Sequence, residues 1–107
     1  MAFADWFGVM PKVEVWQGLS AFVLNGQTAQ AGFFEASQTV LVPEHLHTGQ
    51  WGVVISGQID LTIGGILHVY TSGMSYNIPS GVLHSATVHA GAVFIEVWEE
   101  HRLKVKE

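Results

Sequence analysis

His45-Leu46-His47 and the distant His84 are the residues of this chain whose type and spacing point most directly to chemistry. The pair lies in TVLVPEHLHTGQWGVVISG, Thr39 to Gly57, and the third histidine closes GMSYNIPSGVLH, Gly73 to His84. Side chains alternate sides along a strand, so His45 and His47 are expected on one face. A third imidazole from a distant strand can close on them. Three imidazoles with one oxygen donor suit a transition metal, whereas calcium and magnesium take oxygen shells. One divalent ion is therefore expected. Zinc, nickel, iron, manganese, cobalt and copper are not distinguished by these ligand types.

Such a site needs strands to hold it, and period-two patterning dominates the chain. Ile59, Leu61 and Ile63 alternate with Gln58, Asp60 and Thr62, as expected of a half-buried strand. Val93, Ile95 and Val97 alternate with Phe94, Glu96 and Trp98 in the last strand. Further strands are expected over Val13–Gln17, Ser20–Leu24, Ala29–Glu35, Gln38–Val42, Trp51–Ser56, Ile66–Tyr70 and His84–Ala90. Turn punctuation falls at Asn25-Gly26, Ser56-Gly57, Gly64-Gly65, Ser72-Gly73 and Ser80-Gly81. Asn25-Gly26 is the stronger type I′ hairpin signal and Gly64-Gly65 the weaker. Many short strands with regular turns predict a sandwich or barrel. The 107 residues allow one domain with one core. Its expected parts are an N-terminal arm over residues 1–12, a barrel over about 13–100 and a short C-terminal tail that frays over Arg102–Glu107.

Composition narrows the partners. Hydrophobic residues make up 49% and charged residues 12%, so apolar surface left after folding is expected to be covered by self-association. A homodimer is the simplest form, with the aromatic arm Phe3, Trp6 and Phe7 as part of the reason. A net charge of −5 argues against nucleic acid, whose binding rests on neutralising phosphates. The absence of cysteine excludes disulfides and thiolate metal sites. MAFADWFGVM has neither a basic n-region nor a long apolar h-region, and no apolar run is long enough to span a bilayer. A soluble cytoplasmic protein is expected.

These motifs resemble those of the cupins. The family's first motif runs HxH, a short turn, an acidic residue, six residues and a glycine; here His45-x-His47 is followed by Gln50, six residues and Gly57. Its second, G-x5-P-x-G-x2-H, is matched at every spacing by Gly73, Pro79, Gly81 and His84. The gap between the motifs is the short one of small microbial cupins, and the similarity covers Thr39 to Trp98. It implies an all-β, double-stranded β-helix (jelly-roll) barrel with a metal near the middle of one end. His45, His47 and His84 would be ligands.

The fourth ligand position departs from the family pattern. The usual glutamate is replaced and the turn after His47 is one residue short. Counting back from Gly57 assigns the position to Gln50, whereas counting forward from His47 assigns it to Trp51. A glutamine carbonyl can ligate a metal and an indole cannot. A turn also breaks strand parity, so Gln50 is favoured. A neutral amide there would leave a divalent ion its full charge and polarise a bound carbonyl more strongly than a carboxylate site would. The alternative is that Gln50 bonds a backbone group and the metal has three protein ligands.

Phe94, Glu96 and Trp98 share one face of the last strand, and Glu96-x-Trp98-x3-Arg102 resembles the ending of small cupins, including KdgF-type proteins that linearise unsaturated galacturonate. By that resemblance Glu96 would move a proton, Trp98 would shape the pocket and Arg102 would hold a substrate carboxylate. Glu96 and Arg102 could instead form an exposed pair of little consequence. Tyr76 would line the pocket or pack in the core. His68, His89 and His101 read as surface residues. The function implied is a metal-dependent isomerase or tautomerase acting on a sugar acid or keto acid. A dioxygenase and a non-catalytic binding module are the alternatives.

Overall fold

The computed structural model describes residues 3–105. A short 3₁₀ turn, Asp5–Val9, leads into ten strands: β1 (Lys12–Trp16), β2 (Leu19–Asn25), β3 (Gln30–Ala36), β4 (Val40–His45), β5 (Gln50–Ser56), β6 (Gln58–Ile63), β7 (Ile66–Thr71), β8 (Ser75–Ile78), β9 (His84–Val88) and β10 (Val93–Trp98). They form a six-stranded sheet in the order β1-β2-β3-β10-β5-β8 and a four-stranded sheet in the order β4-β9-β6-β7. Every pairing is antiparallel. Among the described residues no helix is long and apolar enough to cross a membrane.

The alternation read from the sequence is the alternation of burial. Along β3 buried and half-buried residues alternate without a break, and β2 does the same until its end. One hydrophobic core draws on both sheets, with Leu19, Phe34 and Phe94 from one and Val40, Ile59 and Val88 from the other. Phe34 and Phe94, directly opposed across β3 and β10, stack with ring centroids 4.7 Å apart. Phe34 also meets Trp98 edge-on at 5.8 Å. Such offset and T-shaped aromatic contacts add to the burial of the rings themselves.

The two hairpin signals come out in reverse order. Gly64 and Gly65 both have positive φ, 56° and 83°, and join β6 to β7 directly, as a type I′ turn requires. Gly26 does not have positive φ, and four residues separate β2 from β3. Asn25, the last residue of β2, accepts a 2.8 Å bond at its Oδ1 from the buried Gln30 Nε2. In the arm, Phe7 packs edge-on against Phe33 at 5.2 Å and Phe22 at 6.1 Å, and Phe3 stacks on Phe7. Two of the three arm aromatics are thus spent on this chain's own sheet, while Trp6 stays 67% exposed.

Candidate metal centre and its cavity

His45, the last residue of β4, lies opposite His84, the first residue of β9. His47 does not continue β4. The strand ends at His45 with its register already shifted after Val42, so the pair does not share a strand face as parity predicted. His47 instead sits in the connection to β5, held where its carbonyl accepts a 2.9 Å bond from Gly81 N–H. The second motif's glycine thereby fixes the first motif's second histidine. One ring nitrogen from each histidine lies within 4.8 Å of the other two.

Each imidazole is oriented by the backbone. Nδ1 of His45 meets the Pro43 carbonyl at 2.7 Å, Nδ1 of His47 the Thr48 carbonyl at 2.6 Å, and Nδ1 of His84 the Val82 carbonyl at 2.9 Å. A carbonyl oxygen only accepts, so Nδ1 carries the proton in all three and the Nε2 lone pairs are left free. This is the outer-shell arrangement that presents neutral histidine to a metal. Nε2 of His84 and of His47 are 3.1 Å apart. Two lone pairs at that distance repel unless they share a cation. Burial, together with the nearby Arg102 charge and the other imidazoles, pushes the His47 pKa below its ordinary value, and burial does the same for His84. Both effects keep the rings neutral and able to ligate.

The two candidates for the fourth position face opposite ways. Gln50 opens β5 buried at 6% exposure, whereas Trp51 points outward at 44%. Gln50 Nε2 donates a 2.6 Å bond to Glu96 Oε2, which sets the amide's orientation. Its Oε1 is buried without a hydrogen-bond partner among the described residues. A buried carbonyl oxygen left unpaired is costly, and a cation is one partner that would satisfy it. The donor set therefore fits a divalent transition ion: three Nε2 atoms and one amide oxygen. The carboxylate missing from the ligand position stands one residue behind it, in Glu96. With Gln50 as a ligand, this group would partly offset the charge of a bound ion.

Glu96 sits in a row built to admit it. Across β8, β5, β10 and β3 the register aligns Tyr76, Gly52, Glu96 and Gly32. The two residues flanking Glu96 are glycines, and each leaves space for a ring. A Cβ on Gly52 would lie 2.3 Å from Tyr76 Cζ, and one on Gly32 would lie 2.5 Å from Phe34 Cε2 and 2.9 Å from Trp98 Cη2. The Tyr76 hydroxyl donates to Glu96 Oε2, the same oxygen that Gln50 reaches. Burial pushes the Glu96 carboxyl above its ordinary pKa, and the two hydrogen bonds and the Arg102 charge oppose this without cancelling it. Burial and the neighbouring carboxylate hold the Tyr76 hydroxyl protonated, well above the usual phenol range. Tyr76 does not line the cavity. It stands behind Glu96, as a donor.

In the next row Ile78, Gln50, Trp98 and Gln30 align. Trp98 is fully buried, and its indole N–H has no partner among the described residues. The Arg102 guanidinium lies over its ring at 5.6 Å, in cation–π range, and makes no ion pair among the described residues. Arg102 is held there by Gln30. The Gln30 Oε1 accepts from the backbone N–H of Arg102 at 2.9 Å and of Leu103 at 2.8 Å, while its Nε2 donates to the Leu103 carbonyl. The segment read as a fraying tail is therefore fastened at 102 and 103. Residues 106 and 107, the end of that tail, lie outside the described residues. Between the sheets a cavity of about 290 Å³ is lined by His45, His84, Gln50, Glu96, Trp98 and Arg102 together with apolar side chains.

The remaining histidines stand apart from this site. His89 pairs with Asp60 at 2.8 Å, His101 bonds the Gly26 carbonyl, and His68 lies exposed on β7. Sequence reasoning missed Gly52, Gly32 and Gln30. Only the glycines left a trace, as breaks in otherwise alternating strands, a known mark of close approach.

Two antiparallel sheets closing over a three-histidine cluster define a double-stranded β-helix barrel with a candidate metal centre. The cupin domain family matches residues 36–98, and the chain belongs to that family. Its fold is similar to an RmlC-like cupin from Shewanella frigidimarina, with a TM-score of 0.79 at 21% identity over 95% of this chain and 96% of that one. It is also similar to KdgF from Halomonas sp., with a TM-score of 0.76 at 15% identity over 95% and 96%. A variant of oxalate decarboxylase from Bacillus subtilis matches 92% of this chain, TM-score 0.76 and 18% identity, but only 29% of the decarboxylase. At these identities the likeness is one of fold. No curated protein matches the sequence.

Proposed function

We propose that this cupin is a metal-dependent isomerase or tautomerase acting on a small carbonyl compound that bears a carboxylate, a sugar acid or keto acid. The observation that carries the reading is the setting of Glu96. A carboxyl group whose pKa is raised by burial opens on the same cavity as two of the three histidines, Gln50 and Arg102. Perturbed acids in such clefts are the usual agents of proton transfer.

His45, His47, His84 and the Gln50 oxygen would hold one divalent ion, whose chemistry is to polarise a carbonyl or carboxylate oxygen. Arg102, which makes no ion pair among the described residues, would take the substrate's carboxylate in bidentate fashion. Glu96 would remove a proton from the carbon beside the carbonyl and return it at the other end of the same unit. No oxidant or second substrate is required. Tyr76 and Gln50 would hold the carboxyl by Oε2 and leave Oε1 for the proton. Trp98 would close the wall beside Arg102 and exclude water.

The test is solvent-deuterium exchange into 2-oxo acids and loss of ultraviolet absorbance from unsaturated uronates, with several divalent metals supplied. Exchange or turnover that Glu96→Gln abolishes while metal content is unchanged is the expected result. Metal-loaded protein that leaves every substrate at the spontaneous rate would overturn the catalytic reading.

A further inference from the structure

The wall of the cavity is at odds with a sugar. Apart from the polar groups already named and the Trp16 indole, it is hydrocarbon, with Leu19, Phe34, Val42, Ile59, Val88 and Phe94 among the side chains facing in. The polar groups also gather at one place. His45 and His84 face one another across β4 and β9, Gln50 bonds Glu96, and the Arg102 charge is close enough to act on both His84 and Glu96. The cavity is therefore amphipathic, with one cluster of donors and acceptors and an otherwise apolar chamber. A polyhydroxylated chain placed there would bury hydroxyl groups against hydrocarbon without partners, a penalty that apolar pockets do not repay. The volume, about 290 Å³, is at the small end for ligand sites.

We infer that the site takes a 2-oxo acid with a branched aliphatic or aromatic body and discriminates against sugar acids. The inference rests on the metal-assisted reading above and names its substrate class. The carboxylate and carbonyl oxygens belong at the cluster of His45, His84, Gln50 and Arg102, and the body belongs in the chamber between Phe34, Ile59 and Phe94. Leu103, fastened by Gln30, also lines the cavity with an apolar side chain. On this reading it would meet the body and leave the head to the polar groups.

Three carboxylates separate the possibilities when titrated calorimetrically into cobalt-loaded protein. They are 4-methyl-2-oxopentanoate, pyruvate, which has the same head without the body, and galacturonate, whose body is hydroxylated. Each buried methylene is worth about fourfold in affinity, so the first should bind at least about tenfold more tightly than either of the others. Leu103→Ala should weaken 4-methyl-2-oxopentanoate and leave pyruvate unchanged, since the backbone bonds to Gln30 survive it. Arg102→Gln should weaken all three. Galacturonate binding as tightly as the branched acid, or three equal affinities, would overturn the inference and leave the metal-assisted reading standing. If none of the three binds, or if His84→Ala binds them as wild type does, both are overturned.

Discussion

Gly52→Ala adds one methyl group at the point where three strands bring Tyr76, Glu96 and the backbone of β5 together. On an ordinary strand this substitution stabilises by about 0.4–1 kcal/mol, because alanine has less freedom to lose on folding. Gly52 is not in the left-handed region, so the backbone accepts alanine without strain. Here the new Cβ would lie 2.3 Å from Tyr76 Cζ and 2.4 Å from its hydroxyl oxygen. The ring cannot simply swing away, since it is buried in the core and meets Tyr70 edge-on at 5.1 Å. Forcing it aside is overpacking, at about 1–3 kcal/mol, and breaking its bond to the Glu96 carboxyl adds about 1.5–3 kcal/mol. A net loss of about 2–5 kcal/mol is expected, or a fall in Tm on the order of 10 °C or more for a domain of this size. Urea denaturation followed by tryptophan fluorescence reads it directly, and Tyr76→Leu in the same chain should recover part of the loss by vacating the space. A Gly52→Ala protein as stable as wild type would refute the claim that the missing side chain makes room for Tyr76.

Stability of the metal-free protein should respond to pH in two opposed ways. His47 and His84 have folded pKa values below the ordinary 6.5, so their contribution is present above 6.5 and lost as pH falls through the folded values. Metal affinity should fall in the same window, because protons compete for the same lone pairs. Glu96, raised above the ordinary 4.5, contributes stability below 4.5 that is lost as pH rises through its folded pKa. Chemical denaturation across this range should show that Glu96→Gln removes the second dependence and keeps the first. Gln30→Ala should cost about 2–3 kcal/mol and raise hydrogen exchange at Arg102 and Leu103, whose N–H groups it holds; unchanged protection there would remove Gln30 as the anchor of Arg102. Light scattering should find a dimer at micromolar concentration, given the exposed Ile66, Leu67 and Val69 along β7, and a monomer would contradict this.

Most of the fold was legible in the sequence, because period-two burial leaves its mark wherever one strand face is wet and the other dry. The three-histidine cluster was legible for another reason: spacing within two motifs compresses a three-dimensional arrangement into a short pattern. The route by which they converge was not. Parity placed His45 and His47 on one strand, but β4 ends at His45 and a bond from Gly81 positions His47 instead. Gln50 over Trp51 followed from ligand chemistry, and burial agrees. Its link to Glu96 depends on which residues of β5 and β10 lie opposite, and strand register is a long-range property that no local window contains. The same holds for Gln30, seventy-two residues from the Arg102 amide it accepts. Asn25-Gly26 marked the turn between β2 and β3 but not its type, since four residues make the connection and Gly26 has no positive φ.

Everything proposed for the cavity rests on the three histidines holding a metal. The most direct test is elemental analysis of the protein after loading with a divalent transition metal and exhaustive dialysis, set beside His45→Ala and His84→Ala variants shown by circular dichroism to keep their sheet. One ion per chain is expected in the wild type and a loss of most of it in each variant, with X-ray absorption of the bound metal reporting only nitrogen and oxygen neighbours. A wild-type chain that retains no metal, or variants that retain as much as the wild type, would contradict it.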